Sequence, residues 1–161
     1  MIRIEKILFP TDFSPATDGA REMAIELARQ FDAELHLLHI MEDLAARLPE
    51  FGMGLALPAF VADSQSRLKD YERQAIAQLT AITPDGTGKL RRAVIAIKEG
   101  RTFEQVNEYA KSHQIDLIVM GTHGRSGLAH VLMGSVAERV VQHAACPVLT
   151  VRPKDFAFEM P

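Results

Sequence analysis

Four residues with the chemistry of a phosphate site surround one loop of the sequence. Gly121 ends the apolar run 116–121, Gly124 follows in the next loop, and Gly134 and Ser135 stand where a helical pattern begins. Glycine permits positive φ and lets a ligand approach the backbone without meeting a Cβ. The first amides of a helix lack intrahelical partners and lie at its positive end. The spacing therefore indicates a loop and a helix start that bind an anion, typically a phosphate.

We expect three backbone N–H groups to face this anion, those of Gly134, Ser135 and Val136. Three charge-assisted hydrogen bonds of about 1.5–3 kcal/mol each are enough, with further contacts, for micromolar binding. The Ser135 hydroxyl has an alternative role, because Ser135 and Glu138 have the spacing of a capping box. The two roles are compatible if the hydroxyl caps the free helix and turns to the phosphate when one is bound.

A carboxylate ends another apolar run. Asp12 follows Pro10 and Thr11 directly after residues 7–9. In nucleotide-binding folds, an acid at a strand end accepts hydrogen bonds from ribose hydroxyls, and the adenine amino group is a second donor that Asp12 could meet. The alternative is a local role, in which Asp12 caps the following helix or pairs with a cation.

The elements that carry these residues follow from hydrophobic periodicity. The predicted strands are 6–11, 34–41, 92–98, 116–121 and 147–152, and the predicted helices start after Ser14 and at Asp63, Thr102 and Ser135. The second strand is apolar on both pleat faces, which is typical of a sheet covered on both sides. Repeated strand and helix alternation predicts a single α/β sandwich with a parallel sheet. Ligands of such sheets lie at the carboxyl ends of the strands.

Two segments keep alternative interpretations. Residues 42–62 combine helix breakers with large apolar side chains, so we expect a long apolar loop that covers the core or the site. A flap that binds a partner is the other interpretation. The last strand, 147–152, is expected at a sheet edge, which must be paired or covered. Pairing with a second copy is favoured, and the tail 154–161 is the competing cover.

Composition excludes several classes of protein. The 161 residues argue for one domain, and a net charge of −3 gives no basic excess for a nucleic-acid partner. Cys146 is the single cysteine, so no intramolecular disulfide forms, and its apolar neighbours predict inert packing. The longest stretches without a charged residue have 12 residues, too short for a membrane span of about 18. The charged start lacks a secretory apolar core, so we expect a cytoplasmic protein.

The histidines do not indicate catalysis or metal binding. His123, His130 and Ser126 lie near the glycine-rich loop, but a nucleophile also needs a base and an orienting group in reach, and the sequence nominates no such set. His36 and His39 stand three apart on a strand and therefore point to opposite faces, which argues against a shared metal. We expect no catalytic residue and no metal ligand among them.

Three motifs together resemble one known family. They are the glycine pattern Gly121-x2-Gly124-x9-Gly134-Ser135, Pro10-Thr11-Asp12 after the first strand, and the closing sequence Ala-Cys-Pro-Val-Leu-Thr-Val-Arg. Over about residues 3–152 the chain resembles the ATP-binding branch of the universal stress protein family. The resemblance implies one Rossmann-like domain over 1–153 with the short tail 154–161. It also implies a five-stranded parallel sheet in the order 3-2-1-4-5 with helices on both faces.

The resemblance implies a role for each matching residue. ATP would lie across the carboxyl ends of strands one and four, with Asp12 of the Pro10-Thr11-Asp12 motif at the adenosine. The implied phosphate contacts are Gly121, Gly124, Gly134 and Ser135, with a further amide from Val136 and Arg125 in reach of a terminal phosphate. By position, Ile40 and Met120 are the implied adenine contacts.

The same resemblance implies a regulatory protein of the stress response. Its cofactor would be ATP, or AMP or ADP, with Mg²⁺ carried on the phosphates, and it would form a homodimer through the last strand, 147–152. The nucleotide would change loop order and thereby the choice of an unknown protein partner. The alternatives are a slow ATPase or nucleotide hydrolase, and a dimeric interaction protein without nucleotide, whose melting temperature ATP would leave unchanged.

Overall fold

The computed structural model describes residues 3–41, 58–83, 92–123 and 133–153. The strands are β1 (Lys6–Pro10), β2 (Glu34–Met41), β3 (Arg92–Glu99), β4 (Leu117–Gly121) and β5 (Val148–Val151). The helices are α1 (Asp18–Phe31), α2 (Pro58–Ile82), α3 (Thr102–Ser112) and α4 (Ser135–His143), and a single 3-10 turn, Pro15–Thr17, precedes α1. Each of the first four strands is therefore followed by a helix, the connection that parallel strands require.

The five strands form one parallel sheet in the order β3-β2-β1-β4-β5. This confirms the predicted α/β class and the strand order that the family resemblance implies. The order reverses at β1, because β2 and β3 extend the sheet on one side of it and β4 and β5 on the other. Ligand crevices of parallel sheets lie at the carboxyl ends of the strands at such a reversal. The turns after β1 and β4 therefore define the region to inspect for a site.

Helices cover both faces of the sheet and bury two apolar clusters. Leu8, Leu38 and Ile118 belong to the cluster under α3 and α4, together with Val106 and Val140. The alternate strand positions belong to the cluster under α1 and α2, which contains Ile7, Phe9, Leu35, Leu37 and Val119 with Ala20, Ala24, Ala28 and Leu79. Each large buried side chain contributes about 1.5–3 kcal/mol of transfer free energy. The two clusters hold the strands, and with them the turns at their ends, in place.

The second helix begins earlier than the sequence pattern predicts. α2 starts at Pro58 rather than at Asp63, so residues 58–62 of the predicted loop are helical. The prediction treats Pro58 as a helix breaker. Proline is, however, well suited to the first turn of a helix, where a missing amide hydrogen leaves no bond unmade. The remainder of the predicted loop, residues 42–57, lies outside the described residues.

Both α3 and α4 begin at the predicted residue, but the cap of α4 differs from the predicted one. Gly134, with extended backbone, is the N-cap residue of α4, and Ser135 is the first helical residue. Thr102 is likewise the first residue of α3, after Arg101. Neither N-cap residue makes a side-chain cap bond. The predicted capping role of Ser135 with Glu138 is therefore wrong, because the hydroxyl stands one position inside the helix.

The structure tests the predictions about the sheet edge and about a membrane span. β5 lies at one edge of the sheet, as expected, where Leu149 is exposed and Val148 and Val151 are half-buried. The tail 154–161 lies outside the described residues. No helix within the described ranges has both the length and the apolar character needed to cross a bilayer.

Candidate functional site

The turn after β1 holds the predicted carboxylate in a network of short hydrogen bonds. The Thr11 amide donates to the Leu38 carbonyl of β2 at 2.9 Å. The Phe13 amide donates to Thr11 Oγ1 at 3.0 Å, and the Ser14 amide donates to Asp12 Oδ1 at 2.9 Å. The Asp12 carboxylate therefore closes the turn that leads to α1, although the N-cap residues there are Ser14 and Thr17 rather than Asp12.

The same turn contains an unusual backbone conformation. Phe13 has φ of 63°, in the left-handed region that is uncommon for residues other than glycine. Thr17, which is buried, supports the turn from the far side, because its hydroxyl donates to the Ser14 carbonyl at 2.8 Å and lies 3.3 Å from Thr11 Oγ1. The turn is thus held by bonds to several of its own atoms.

A buried histidine lies against this turn, and the sequence reasoning assigned it no role. His39 Nδ1 lies 2.8 Å from the Thr11 carbonyl oxygen, and Nε2 lies 3.2 Å from the Tyr71 hydroxyl of α2. The Phe13 ring packs on the imidazole with centroids 4.4 Å apart. The available signal was a polar side chain within the apolar strand 34–41, because a buried polar group must find hydrogen-bond partners.

The second junction joins the end of β4 to the start of α4. The Thr122 amide donates to the Val151 carbonyl at 3.0 Å, and the Thr122 carbonyl accepts the Gly134 amide at 2.7 Å. The expectation that the Gly134 amide faces a ligand is therefore wrong, because it is already bonded within the protein. The first bond inside α4 runs from the Glu138 amide to the Gly134 carbonyl at 3.0 Å. The amide donors at this helix start are then those of Ser135, Val136 and Ala137.

The two described glycines of the motif are required for space rather than for positive φ. Gly134 has φ of −68°, and among the described glycines only Gly100 has a positive value. A Cβ on Gly134 would stand 3.0 Å from the Thr122 carbonyl oxygen, and one on Gly121 would stand 3.1 Å from the His123 carbonyl oxygen. Both contacts are with backbone atoms, which cannot rotate away. Gly134 lets the start of α4 approach the turn after β4 closely, and Gly121 lets that turn pack against β4 and the 3-10 turn.

Apolar side chains lie behind the two junctions. Ile40 near the end of β2 and Met120 near the end of β4 are buried in the cluster under α3 and α4. Met133 and Val136 pack against the same cluster. The structure thus places Ile40, Met120 and Val136 on the α4 side of the sheet, and the buried Pro10 ends β1 opposite Leu38.

Part of the predicted site falls outside the described residues. Gly124 and Arg125 lie there, as do Ser126 and His130. Within the described ranges, no three side chains of His, Cys, Asp or Glu come together as a metal site. The predicted opposition of His36 and His39 is confirmed, since His36 reaches Tyr109 of α3 while His39 reaches the other face.

A small cavity opens on the other face of the sheet, between α1 and α2. Its volume is about 190 Å³, and Ser14, Thr17, Arg21 and Gln78 are among the residues that line it. Typical ligand pockets have roughly 300–1,000 Å³. This cavity lies on the α2 side of the Asp12 turn, whereas the amide donors of α4 lie on the other side. Thr11 and Phe13 also line it, so the cavity borders the Asp12 turn.

Comparison with known proteins identifies relatives along almost the whole chain. The model of the universal stress protein family matches residues 3–152. Universal stress protein MJ0531 of Methanocaldococcus jannaschii is 33% identical over 148 residues, which cover 92% of this chain and 82% of that protein. The solved structure of protein MJ0577 has a TM-score of 0.72 and 26% identity, with 96% of this chain and 99% of that chain covered.

A more distant solved structure shares the fold alone. It is the universal stress protein from Archaeoglobus fulgidus in complex with dAMP, with 16% identity, a TM-score of 0.53, and coverage of 94% of this chain and 100% of that one. The fold, the strand order and the family match all agree with the motifs at the two junctions. The chain therefore belongs to the universal stress protein family.

Proposed function

We propose that this protein binds ATP at the carboxyl ends of β1 and β4 and acts as a nucleotide-responsive regulatory module in the cytoplasm. The proposal depends on one observation: a carboxylate and a set of amide donors follow the ends of β1 and β4, the neighbouring strands at which the strand order reverses. The Asp12 carboxylate closes the turn after β1, and the amide donors of α4 follow the junction after β4. Adenine nucleotides have hydrogen-bond donors at the nucleoside end and negative charge at the other, which matches this polarity.

The phosphates would lie at the start of α4. Three amides and the positive end of the helix dipole attract a polyphosphate, at about 1.5–3 kcal/mol for each charge-assisted bond before ordering costs. Gly121, Gly124 and Gly134 would line the path of the phosphates, and Arg125 would meet the terminal one. The Ser135 hydroxyl at the first helical position would add one more donor. Mg²⁺ would arrive bound to the phosphate oxygens, the usual way in which proteins take up this ion with nucleotides.

The nucleoside would lie between the Asp12 turn and the apolar wall behind it. Asp12, with Pro10 and Thr11, would hold the adenosine by hydrogen bonds, and Ile40 and Met120 would contact the adenine. One structural neighbour binds dAMP, which supports an adenine nucleotide as the ligand class. AMP and ADP would occupy the same site with fewer phosphate contacts.

The proposal is tested by removing one amide donor without removing the helix. Ser135→Pro deletes the amide hydrogen at the first helical position, where proline fits, and the extended backbone of Gly134 suits a residue that precedes proline. Ser135→Ala deletes only the hydroxyl, so the difference between the variants isolates the amide. We expect Ser135→Pro to weaken ATP binding by about tenfold or more relative to Ser135→Ala, measured by titration calorimetry.

Adenosine provides the matched ligand. It lacks phosphates, so Ser135→Pro should leave its dissociation constant unchanged, whereas Asp12→Asn should weaken adenosine and ATP alike. If the wild-type protein gives no binding heat with millimolar ATP, or if Ser135→Pro and Ser135→Ala bind ATP equally, the proposed site is wrong. Phosphate release measured on the same samples separates a binding protein from the alternative hydrolase.

The proposal includes a homodimer formed through the strand at the 147–152 edge. β5 is an edge strand with an exposed Leu149, and an edge of this kind is normally paired or covered. We expect sedimentation to show a dimer at tens of micromolar and Leu149→Lys to shift it toward monomer. A wild-type monomer under the same conditions would contradict this part of the proposal.

A further inference from the structure

The buried ring of His39 connects α2 to the turn that carries Asp12. Nδ1 lies 2.8 Å from the Thr11 carbonyl oxygen and Nε2 lies 3.2 Å from the Tyr71 hydroxyl, which belongs to α2. His39 is only 2% exposed, so its bond to the Thr11 carbonyl forms away from bulk water, whereas the bond to the more exposed Tyr71 is only partly buried. A buried hydrogen bond of this kind fixes the geometry of both partners, because breaking it leaves a polar group without a partner.

The partners determine the tautomer of the ring. A carbonyl oxygen can only accept a hydrogen bond, so Nδ1 carries the hydrogen and donates to Thr11. In the neutral imidazole, Nε2 is then the acceptor, and the Tyr71 hydroxyl donates to it. The Tyr71 hydroxyl, which can donate or accept, thus bonds Nε2 of the tautomer that the Thr11 carbonyl requires.

The Thr11 carbonyl is an atom through which His39 can orient Asp12. It belongs to the planar peptide group that joins Thr11 to Asp12, so fixing its direction also fixes the Asp12 amide and Cα. The next residue, Phe13, has φ of 63° and stacks its ring on the imidazole at 4.4 Å. An uncommon backbone conformation persists only where surrounding contacts determine it. His39 supplies two such contacts, with the Thr11 carbonyl before Asp12 and with the Phe13 ring after it.

We infer that His39 is a positioning residue for nucleotide binding: it holds the Thr11–Asp12 peptide so that the Asp12 carboxylate faces the nucleoside, while the Tyr71 hydroxyl holds the other ring nitrogen. This inference rests on the proposed function. The added element is His39, a side chain that supports the site without contacting the nucleotide and that links α2 to the site. His39 acts through Asp12, so its effect on binding disappears when the carboxylate is absent.

The test uses variants of His39 that each keep an amide near only one of the two ring nitrogens. Asparagine places its amide near the position of Nδ1 and can still donate to Thr11, whereas glutamine places its amide near Nε2 and cannot. We expect His39→Gln to weaken adenosine and ATP binding by about tenfold, and His39→Asn to restore binding to within about threefold of wild type. Tyr71→Phe removes only the hydroxyl and should weaken both ligands by about twofold to fivefold.

The decisive readout is a double-mutant cycle with Asp12→Asn. In that background we expect His39→Gln and Tyr71→Phe each to change the dissociation constant by less than about twofold, since coupled residues are non-additive. His36→Gln is the matched control, because His36 is equally buried on the same strand and also bonds a tyrosine hydroxyl. It should lower the melting temperature without changing either dissociation constant.

Each failure points to a different conclusion. If wild type binds ATP and Asp12→Asn weakens it, but His39→Gln and Tyr71→Phe leave binding unchanged, His39 does not position the site and the proposed function stands. Full additivity with Asp12→Asn would also overturn the inference, because His39 would then act by another route. Tyr71→Phe keeps the test valid if His39→Gln does not fold. Absence of ATP binding by the wild type would overturn the proposed function and this inference together.

Discussion

The two ends of the sheet use their polar groups in opposite ways. At the amino end of the strands, Asp116 Oδ2 accepts the amides of Glu5 and Lys6 at 2.8 and 2.9 Å, and Lys6 Nζ donates to the His113 carbonyl at 2.9 Å. These groups satisfy one another within the protein. At the carboxyl end, the amides that begin α4 have no place in the helix ladder. The first end is held by bonds within the protein, whereas the second has amides that the helix itself does not bond.

Two histidines of β2 show the same contrast. His36 lies near the amino end, with Nδ1 2.9 Å from the Tyr109 hydroxyl and Nε2 2.9 Å from Glu34 Oε1. His39 lies near the carboxyl end and bonds a backbone carbonyl of the Asp12 turn. Both rings are buried and both meet a tyrosine of a covering helix. They differ in that only His39 is connected to the candidate site.

The largest expected effect comes from the amino end. Asp116→Ala leaves the amides of Glu5 and Lys6 without their acceptor, so we expect a loss of about 2 kcal/mol in the free energy of unfolding. The dissociation constant for ATP should stay unchanged, because Asp116 lies at the opposite end of the sheet from the start of α4. Urea denaturation and calorimetry check the two values. Asp116→Asn keeps a carbonyl oxygen that can accept, so its loss in the free energy of unfolding should be smaller. Weaker ATP binding in either variant would contradict the view that the two ends of the sheet have separate roles.

A pH effect follows from His36. Burial, which disfavours the charged ring, lowers its pKa from the ordinary 6.5, although Glu34 raises it and His113 and Lys6 lower it further. Just below pH 6.5 the unfolded chain binds a proton at this residue that the folded chain does not. The free energy of unfolding should therefore fall as the pH decreases from 6.5 toward the folded pKa. Well above pH 6.5 the ring is neutral in both states, so His36 contributes nothing to the pH dependence there.

Urea denaturation at pH values above and below 6.5 measures how the free energy of unfolding changes with pH. His36→Gln, which cannot titrate, should show a shallower dependence on pH than the wild type. Equal slopes in the two proteins would contradict the assignment of this pH dependence to His36.

The smallest effect is expected from an exposed ion pair at the same end. Arg92 Nη1 lies 3.5 Å from Glu34 Oε2, and the Arg92 side chain is 69% exposed. Exposed pairs contribute about 0–1 kcal/mol, so Arg92→Ala should change the free energy of unfolding by less than about 1 kcal/mol. A loss as large as that of Asp116→Ala would mean that the exposed charges, and not the buried bonds, stabilise the amino end.

The sequence predicted the sheet well because each strand is a short apolar run with clear ends. β2 has the predicted bounds, and β1 and β4 each differ at one end by a single residue. Apolar spacing is a weaker guide to burial on α1, since Met23 and Phe31 are 42% and 46% exposed although they continue its apolar stripe. The small side chains of Ala20, Ala24 and Ala28 face the sheet instead, and larger residues at the margin of the stripe remain outside.

The candidate site was harder to predict, because its bonds join residues far apart in the chain. The Gly134 amide is bonded to Thr122 across the intervening loop, which no local pattern indicates. His39 meets Thr11 and Tyr71, which are 28 and 32 positions away. Residue types and spacing indicate which groups could bind phosphate, whereas the folded arrangement determines which amides remain available. Gly124 and Arg125 remain predictions.

The central claim, that a nucleotide occupies the carboxyl end of the sheet, is tested most directly by amide NMR spectra recorded during an ATP titration. The account predicts that the amide signals of Ser135, Val136 and Ala137 shift together with that of Asp12, while those of Glu5 and Lys6 do not move. An unchanged spectrum at saturating ATP, or shifts confined to the amino end around Asp116, would contradict it.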